Sequence, residues 1–231
     1  MKKALVLVAA VALCGQIVFA EKVAELGVKG GLLLNAGTKF INEPDLVNAP
    51  DDIDFSKKMA LGGDIGIFGH FGIAEIGSGT ISLQPELFFS FGNGVKYEDK
   101  VEVFDDTVTF TLKYKYISLD LALLVGYDIP VGKARITPFV GPKLGIPIGK
   151  MKSTFEADGG LGIKETAKTE MSTMSTLGVD FGVGFAIPLG SFVLGGDIRY
   201  GIDYELKPSN AIDEGIRRGA LGINLTAGYR F

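Results

Sequence analysis

The chain has 231 residues, 23 basic against 27 acidic, for a net charge of −4. With 47% hydrophobic and 22% charged residues it is too apolar for a disordered chain, and its length suits one ordinary domain. The acidic balance excludes the basic footprint of a nucleic-acid binder. The 33 glycines, about twice the usual share, lack the three-residue period of collagen.

The first twenty residues read as an export signal. Lys2 and Lys3 give a charged start, Ala4 to Leu13 an apolar run, and Ile17, Val18 and Phe19 extend it. Val18 and Ala20 stand at the two positions a signal peptidase reads, so cleavage is expected after Ala20. A membrane helix is disfavoured because Gly15-Gln16 interrupts the run and no stop-transfer charges follow. Lipid attachment at Cys14 is disfavoured because Leu13 stands where a small residue is needed. The mature chain would then have no Cys, so no disulfide and no thiolate metal site. Without Lys2 and Lys3 it carries 21 basic residues against 27 acidic, a net of −6.

Beyond residue 20 no run of eighteen apolar residues occurs, and no membrane helix is expected. What recurs is two-residue alternation, the mark of a strand with unlike faces. In 26–34, Leu26, Val28, Leu32 and Leu34 oppose Lys29 and Gly31. In 61–71, Leu61, Ile65, Ile67 and Phe71 oppose Asp64, Phe68 and His70. In 81–91, Ile81, Leu83, Leu87, Phe89 and Phe91 oppose Ser82, Gln84, Glu86 and Ser90. In 117–127, Ile117, Leu119, Leu121, Leu123, Val125 and Tyr127 oppose Ser118, Asp120, Ala122 and Leu124. In 136–148, Ile136, Val140, Leu144, Ile146 and Ile148 oppose Arg135, Thr137, Phe139 and Lys143, although Pro138 and Pro142 remove ladder donors. Segment 177–187 sets Leu177, Val179, Phe181, Val183, Phe185 and Ile187 against Gly178, Asp180, Gly182 and Gly184. Segment 192–204 sets Phe192, Leu194, Ile198, Tyr200, Ile202 and Tyr204 against Asp197, Arg199 and Asp203. The last segment sets Leu221, Ile223, Leu225, Ala227, Tyr229 and Phe231 against Asn224, Thr226 and Arg230.

These eight strands of about nine to thirteen residues are long enough, when tilted, to cross a bilayer. Their connections alternate. Roughly 35–58, 92–108, 149–174 and 205–217 read as long polar loops, and 73–79, 128–133 and 188–191 as short turns with Gly and Pro. The expected fold is all-β: a closed, eight-stranded, antiparallel up-and-down transmembrane β-barrel spanning 21–231. A soluble lipocalin-like barrel would turn its apolar face inward instead. Tyr127, Tyr204, Tyr229 and Phe231 at the strand ends of the apolar face suit a membrane girdle, and Gly, Ser and isolated charges on the other face suit a crowded interior.

Four stretches are similar to the outer-membrane β-barrel domain family often labelled "porin family", small barrels of OmpX-like architecture. They are Ser82-Leu83-Gln84-Pro85-Glu86-Leu87, Tyr116 through Leu124, Thr137-Pro138-Phe139-Val140-Gly141-Pro142, and Gly228-Tyr229-Arg230-Phe231. The family often has Pro where Ala122 stands. The resemblance covers nearly the whole mature chain. It implies an outer-membrane location and no cofactor. It also implies handling by periplasmic chaperones and by the barrel-assembly machinery, which reads a terminal Phe with an aromatic two residues before it; Phe231 and Tyr229 match. The family label does not establish a pore.

Strand parity sends Asp64, Glu86, Asp120, Asp180, Asp197 and Asp203 inward, together with Lys29, Arg135, Lys143, Arg199, Arg218 and Arg230. An eight-stranded barrel is just wide enough for side chains to fill, and buried charges persist only when paired. A salt-bridged plug is therefore expected, with Glu86, Lys143, Asp197 and Arg199 joined near mid-membrane. No catalytic or metal constellation stands out. His70 is the one candidate base and reads as structural or solvated; Glu86 and Asp120 form no fixed carboxylate pair; no HExxH, GxSxG or P-loop pattern occurs. The carboxylates of the first loop (Glu43, Asp45, Asp51, Asp52, Asp54) and second loop (Glu98, Asp99, Glu102, Asp105, Asp106) are candidates for divalent cations shared with surface lipids, without EF-hand spacing. Residues 164–176 suit a hairpin extension above the membrane. Three functions compete: a structural or surface-interaction barrel acting through its outer loops, a narrow porin-like channel with room left by interior Gly, and an enzyme, which the missing catalytic geometry disfavours.

Overall fold

The computed structural model describes residues 24–35, 37, 39–40, 56–103, 106–159, 163–172, 174–206 and 216–231. The expected leader with its cut after Ala20, Cys14, the first-loop carboxylates and Asp105 lie outside these residues, and the side chains of Glu102 and Asp106 are not described. The described strands are β1 (Ala24–Asn35), β2 (Lys39–Phe40), β3 (Ser56–Lys58), β4 (Ala60–Ile76), β5 (Gly79–Val103), β6 (Asp106–Val131), β7 (Ala134–Gly159), β8 (Ile163–Met171), β9 (Thr176–Leu189), β10 (Phe192–Glu205) and β11 (Ile216–Arg230).

Eight of them follow one another in the order β1-β4-β5-β6-β7-β9-β10-β11, every pair antiparallel. β1 then pairs with β11 from Glu25↔Arg230 to Leu34↔Leu221, which joins the two ends into a ring. Each of the eight predicted segments lies on one of these strands, save that Phe231 stands one residue past the end of β11. The short strands β2, β3 and β8 pair antiparallel with β11, β5 and β7.

The short connections are two-residue hairpins: Gly77-Ser78, Gly132-Lys133 and Gly190-Ser191. Gly77, Gly132 and Gly190 have φ of 61°, 61° and 68°, the positive value that lets a tight turn match the twist of its strands. Phe231 N donates to Ala24 O at 3.0 Å, so both chain ends of the ring sit on this turn side.

On the opposite side the expected long loops need correction. Residues 92–103 and 106–108 are strand, as are 149–159 and 163–171. β5, β6 and β7 run 25, 26 and 26 residues, well beyond the nine to thirteen expected. With β3 and β8 at its edges, the sheet continues as an arm above the ring. The faces of β5 exchange here for a local reason. Between Ser90 and Asn93 the β5–β6 register shifts, with Gly92 at φ 69°. This bulge turns the odd residues of β5 from the outer face (Phe89, Phe91) to the inner one (Val95, Tyr97).

The ring is inside-out relative to a soluble protein. Its outer face exposes Leu26, Val28, Ile65, Ile67, Val183, Phe185, Leu194, Ile198 and Leu225, the last 72% accessible. Its inner face buries Glu25, Lys29, Glu86, Asp120, Lys143, Asp180, Asp197, Arg199, Asp203 and Arg218, each at 6% or less. Buried charges and a continuous exposed apolar surface are the two departures from soluble packing that carry information.

Candidate functional site: the charged interior

Three groups of interior charges stack along the ring. The middle one joins β1, β5 and β10. Arg199 Nη1 donates to Glu86 Oε2 at 2.6 Å, and its Nε donates to Asp197 Oδ1 at 2.7 Å. Lys29 Nζ bridges the same two acids, lying 2.6 Å from Asp197 Oδ2. Asn224 Nδ2 donates to Asp197 Oδ1 at 2.9 Å. Aromatic rings fill the remaining directions: the Arg199 guanidinium is 5.5 Å from the Phe88 centroid and 5.2 Å from that of Phe139. Lys29 lies 5.7 Å from both Phe68 and Phe88. Each cation therefore meets carboxylates and π-faces together, which offsets its loss of water.

Toward the arm, Lys143 Nζ lies 2.8 Å from Asp180 and 3.0 Å from Asp203. Arg218 Nη1 reaches Asp120 at 3.3 Å and Asp203 at 3.5 Å, and Ser90 Oγ donates to Asp120 at 2.8 Å. A 3.6 Å contact from Arg199 to Asp180 links this group to the middle one. Glu86, Lys143, Asp197 and Arg199 thus belong to one connected set through Asp180. Asp64 is buried on the same inner face but forms no ion pair among the described residues.

Toward the turns lies a third group that sequence reasoning only half saw. Arg135, expected among the inward charges, grips Glu25 through two bonds of 3.0 and 2.6 Å, and Arg230 Nη2 reaches the same carboxylate at 2.7 Å. Asp128 accepts from Thr137 at 2.8 Å and Ser82 at 3.2 Å, and His70 Nε2 lies 2.7 Å from it. His70 is buried and structural, not solvated. Glu25 and Asp128 were missed because each lies one residue outside its predicted strand; carrying the parity of Lys29 back to residue 25, or of Gly126 on to residue 128, would have found them.

These pairs tie the inner faces of strands across the ring to one another. Ser82 and His70 both bond to Asp128 and not to each other, so no hydroxyl is paired with a base here. Among the described residues no three His, Cys, Asp or Glu converge as a metal site. Of the second-loop carboxylates, Glu98 accepts from Lys96 at 2.6 Å, and that lysine holds its carboxyl below the usual range. Two interior glycines are closely covered. A Cβ on Gly201 would stand 2.5 Å from Asp180 Oδ1, and one on Gly126 2.7 Å from Gln84 Nε2. A cavity of about 500 Å³ opens at the turn end between Glu75, Asp128, Lys133, Arg135 and Arg230. A second cavity, between Lys29, Phe68, His70 and Phe139, holds only about 40 Å³.

An apolar exterior, a paired polar interior and a strand ring leave only one solvent arrangement: lipid outside, charge inside. The chain has the build of an outer-membrane β-barrel. No protein-family model matches it. No curated protein matches it either. Among solved structures it is similar to outer-membrane protein OprG of Pseudomonas aeruginosa (12% identity, TM-score 0.46, 91% of this chain and 97% of that one). It is similar to a major outer membrane protein of Thermus thermophilus (14%, 0.42, 90% and 99%). It is also similar to Ail, the attachment invasion locus protein of Yersinia pestis (14%, 0.34, 90% and 99%).

Proposed function

We propose that this chain, after removal of its leader, is an integral outer-membrane barrel whose interior is a structural plug and whose working surface is the strand arm above the membrane. One observation carries the reading: the Lys29–Glu86–Asp197–Arg199 layer with Phe68, Phe88 and Phe139 spans the lumen where a conducting path would run. Side chains that satisfy each other this closely leave no continuous column of water. The reading makes the protein a structural or interaction component and not an enzyme. Tyr229 and Phe231, whose rings meet edge-on at 5.2 Å on the exposed face of the final strand, serve as the assembly signal.

The test is planar-bilayer conductance of refolded mature protein that first shows the gel-mobility shift of a folded barrel on heating. Electrical silence is expected. Discrete conductance steps from a shifted sample would return the narrow-channel reading.

A further inference from the structure

The outer face of the arm carries a pattern that neither the plug nor the apolar belt explains. Register pairing sets Lys58 opposite Lys96, Lys96 opposite Lys113, Lys113 opposite Thr154, and Thr154 opposite Lys168. Four lysines therefore share one row across five strands. The next row toward the ring pairs Lys115 with Lys152, and Lys150 adjoins it. Opposed residues of an antiparallel pair share a face, and like charges placed so repel each other. Acids on this face offset part of the repulsion: Glu98 pairs with Lys96 (2.6 Å), Glu156 with Lys113 (2.8 Å) and Glu170 with Lys150 (3.3 Å), Glu170 also stands opposite Lys152, and Asp158 shares the face. Lys58, Lys115, Lys152 and Lys168 make no ion pair among the described residues, and all four are exposed. A chain with a net charge of −4 thus gathers an excess of cations over acids on one band.

The height of the band names its partner. On β6 the outward residues are Leu121, Leu119 and Ile117, then Lys115 and Lys113. At ~3.4 Å per strand residue, Lys115 stands about 7 Å and Lys113 about 14 Å beyond Ile117 along the strand. Headgroups occupy roughly the first 5–8 Å outside the hydrocarbon core on each side, and lysine stems reach several ångströms further back toward it. The band is continuous with the lipid-facing belt, faces outward as that belt does, and opposes anionic headgroups in charge. From this geometry we infer that the outer face of β3, β5, β6, β7 and β8 binds the phosphate groups of anionic lipids in the surrounding leaflet. The inference rests on the membrane-barrel reading. Clusters of four to eight lysines at a membrane surface bind anionic lipid through summed, salt-sensitive attraction.

The experiment uses full mature protein in nanodiscs of phosphatidylcholine mixed with phosphatidylglycerol, or with lipid A, and counts the anionic lipid kept per barrel after extraction into mild detergent. Wild type is compared with a variant carrying Lys58→Gln, Lys96→Gln, Lys113→Gln, Lys115→Gln, Lys152→Gln and Lys168→Gln, and with the lighter Lys115→Gln/Lys152→Gln pair. Both variants must keep the heat-dependent mobility shift; should the sixfold variant fail to fold, the pair decides. Retention several-fold higher in wild type, falling as salt rises, is the expected result. Equal retention in wild type and a folded variant overturns the inference and leaves the barrel reading standing. A wild type with no mobility shift overturns both.

Discussion

The interior of this protein is built in two ways, and the change occurs partway along single strands. Within the ring, β6 points Ser118, Asp120 and Ala122 inward and Ile117, Leu119 and Leu121 outward. Two residues on, the same strand points Tyr114 and Tyr116 inward and Lys113 and Lys115 outward. The arm then has an ordinary apolar core of Val95, Tyr97, Leu112, Tyr114, Tyr116 and Met151. Strand direction does not change at the switch, although the register with both neighbours shifts there, between Ser90 and Asn93 on β5 and between Lys115 and Ile117 on β6; what changes as well is the solvent outside. Where lipid bathes the exterior, apolar residues go out and charges must find partners within. Where water does, the tyrosines and Met151 go in and lysines cover them. The two regions should therefore fail differently when damaged: the ring by losing charge pairing, the arm by losing apolar contact.

The largest effect is expected from Glu86→Ala. It strips the shared carboxylate from Arg199 and Lys29 at once and leaves two buried cations on Asp197, with only the 3.6 Å contact of Arg199 to Asp180 besides. Removing one partner of a buried pair costs about 3–5 kcal/mol. A lower temperature for the gel-mobility shift, and a lower urea midpoint, should report it. An unchanged transition would mean that the layer does not stabilise the ring.

Met151→Ala tests the other region. Met151 is 2% exposed within the arm cluster, and truncating such a residue costs about 2–5 kcal/mol. The loss should stay local. Protease should cut the arm faster while the ring keeps its mobility-shift temperature, because elements with separate cores open separately. A joint drop in both would show ring and arm to be one cooperative unit and dissolve the distinction.

Much of the ring was legible in the amino-acid sequence, because one physical rule governs it. Period-two alternation fixed the face of Lys29, Glu86, Lys143, Asp197 and Arg199, and the narrowness of eight strands implied their pairing. The arm was not legible. Its outward positions are Lys, Thr and Glu, so segments such as 96–100 and 150–158 look like polar loop to anyone seeking an apolar outer face. The Gly92 bulge hid the rest by exchanging the faces of β5. Partner choice inside the ring was also out of reach: Arg135 shares parity with Lys143, and only depth along the barrel sends it to Glu25. The role of Phe88 and Phe139 beside Arg199 needs the ring closed before strands distant in sequence face each other.

Gly92→Ala probes the junction itself and should cost less. At φ 69° an L-residue loses about 1–2 kcal/mol, and a Cβ there would stand 3.0 Å from both Gly62 Cα and Leu61 O. Hydrogen exchange should speed at Val95 and Tyr97, just past the bulge, and change less at Leu83 and Glu86. Uniform acceleration through β5 would show that the bulge supports the ring as much as the arm.

The smallest effect is expected at Lys113→Gln, on the watery side of the switch. Its bond to Glu156 is short, at 2.8 Å, yet about a third of the lysine side chain and a quarter of the glutamate's remain exposed. Pairs of this kind contribute about 0.2–1 kcal/mol. The row it occupies works against even that, because Lys96 sits directly across from it and removing one charge relieves repulsion with the other. The two terms oppose, so the urea midpoint should barely move, in contrast to the loss at Glu86. The distance is no guide to the difference, since Arg199 and Glu86 meet at 2.6 Å, nearly the same separation. What separates the two sites is whether water can replace the lost partner. If Lys113→Gln destabilised the protein as much as Glu86→Ala, its charge would have to be as buried as the plug's, and the boundary drawn between Lys115 and Ile117 would be in the wrong place.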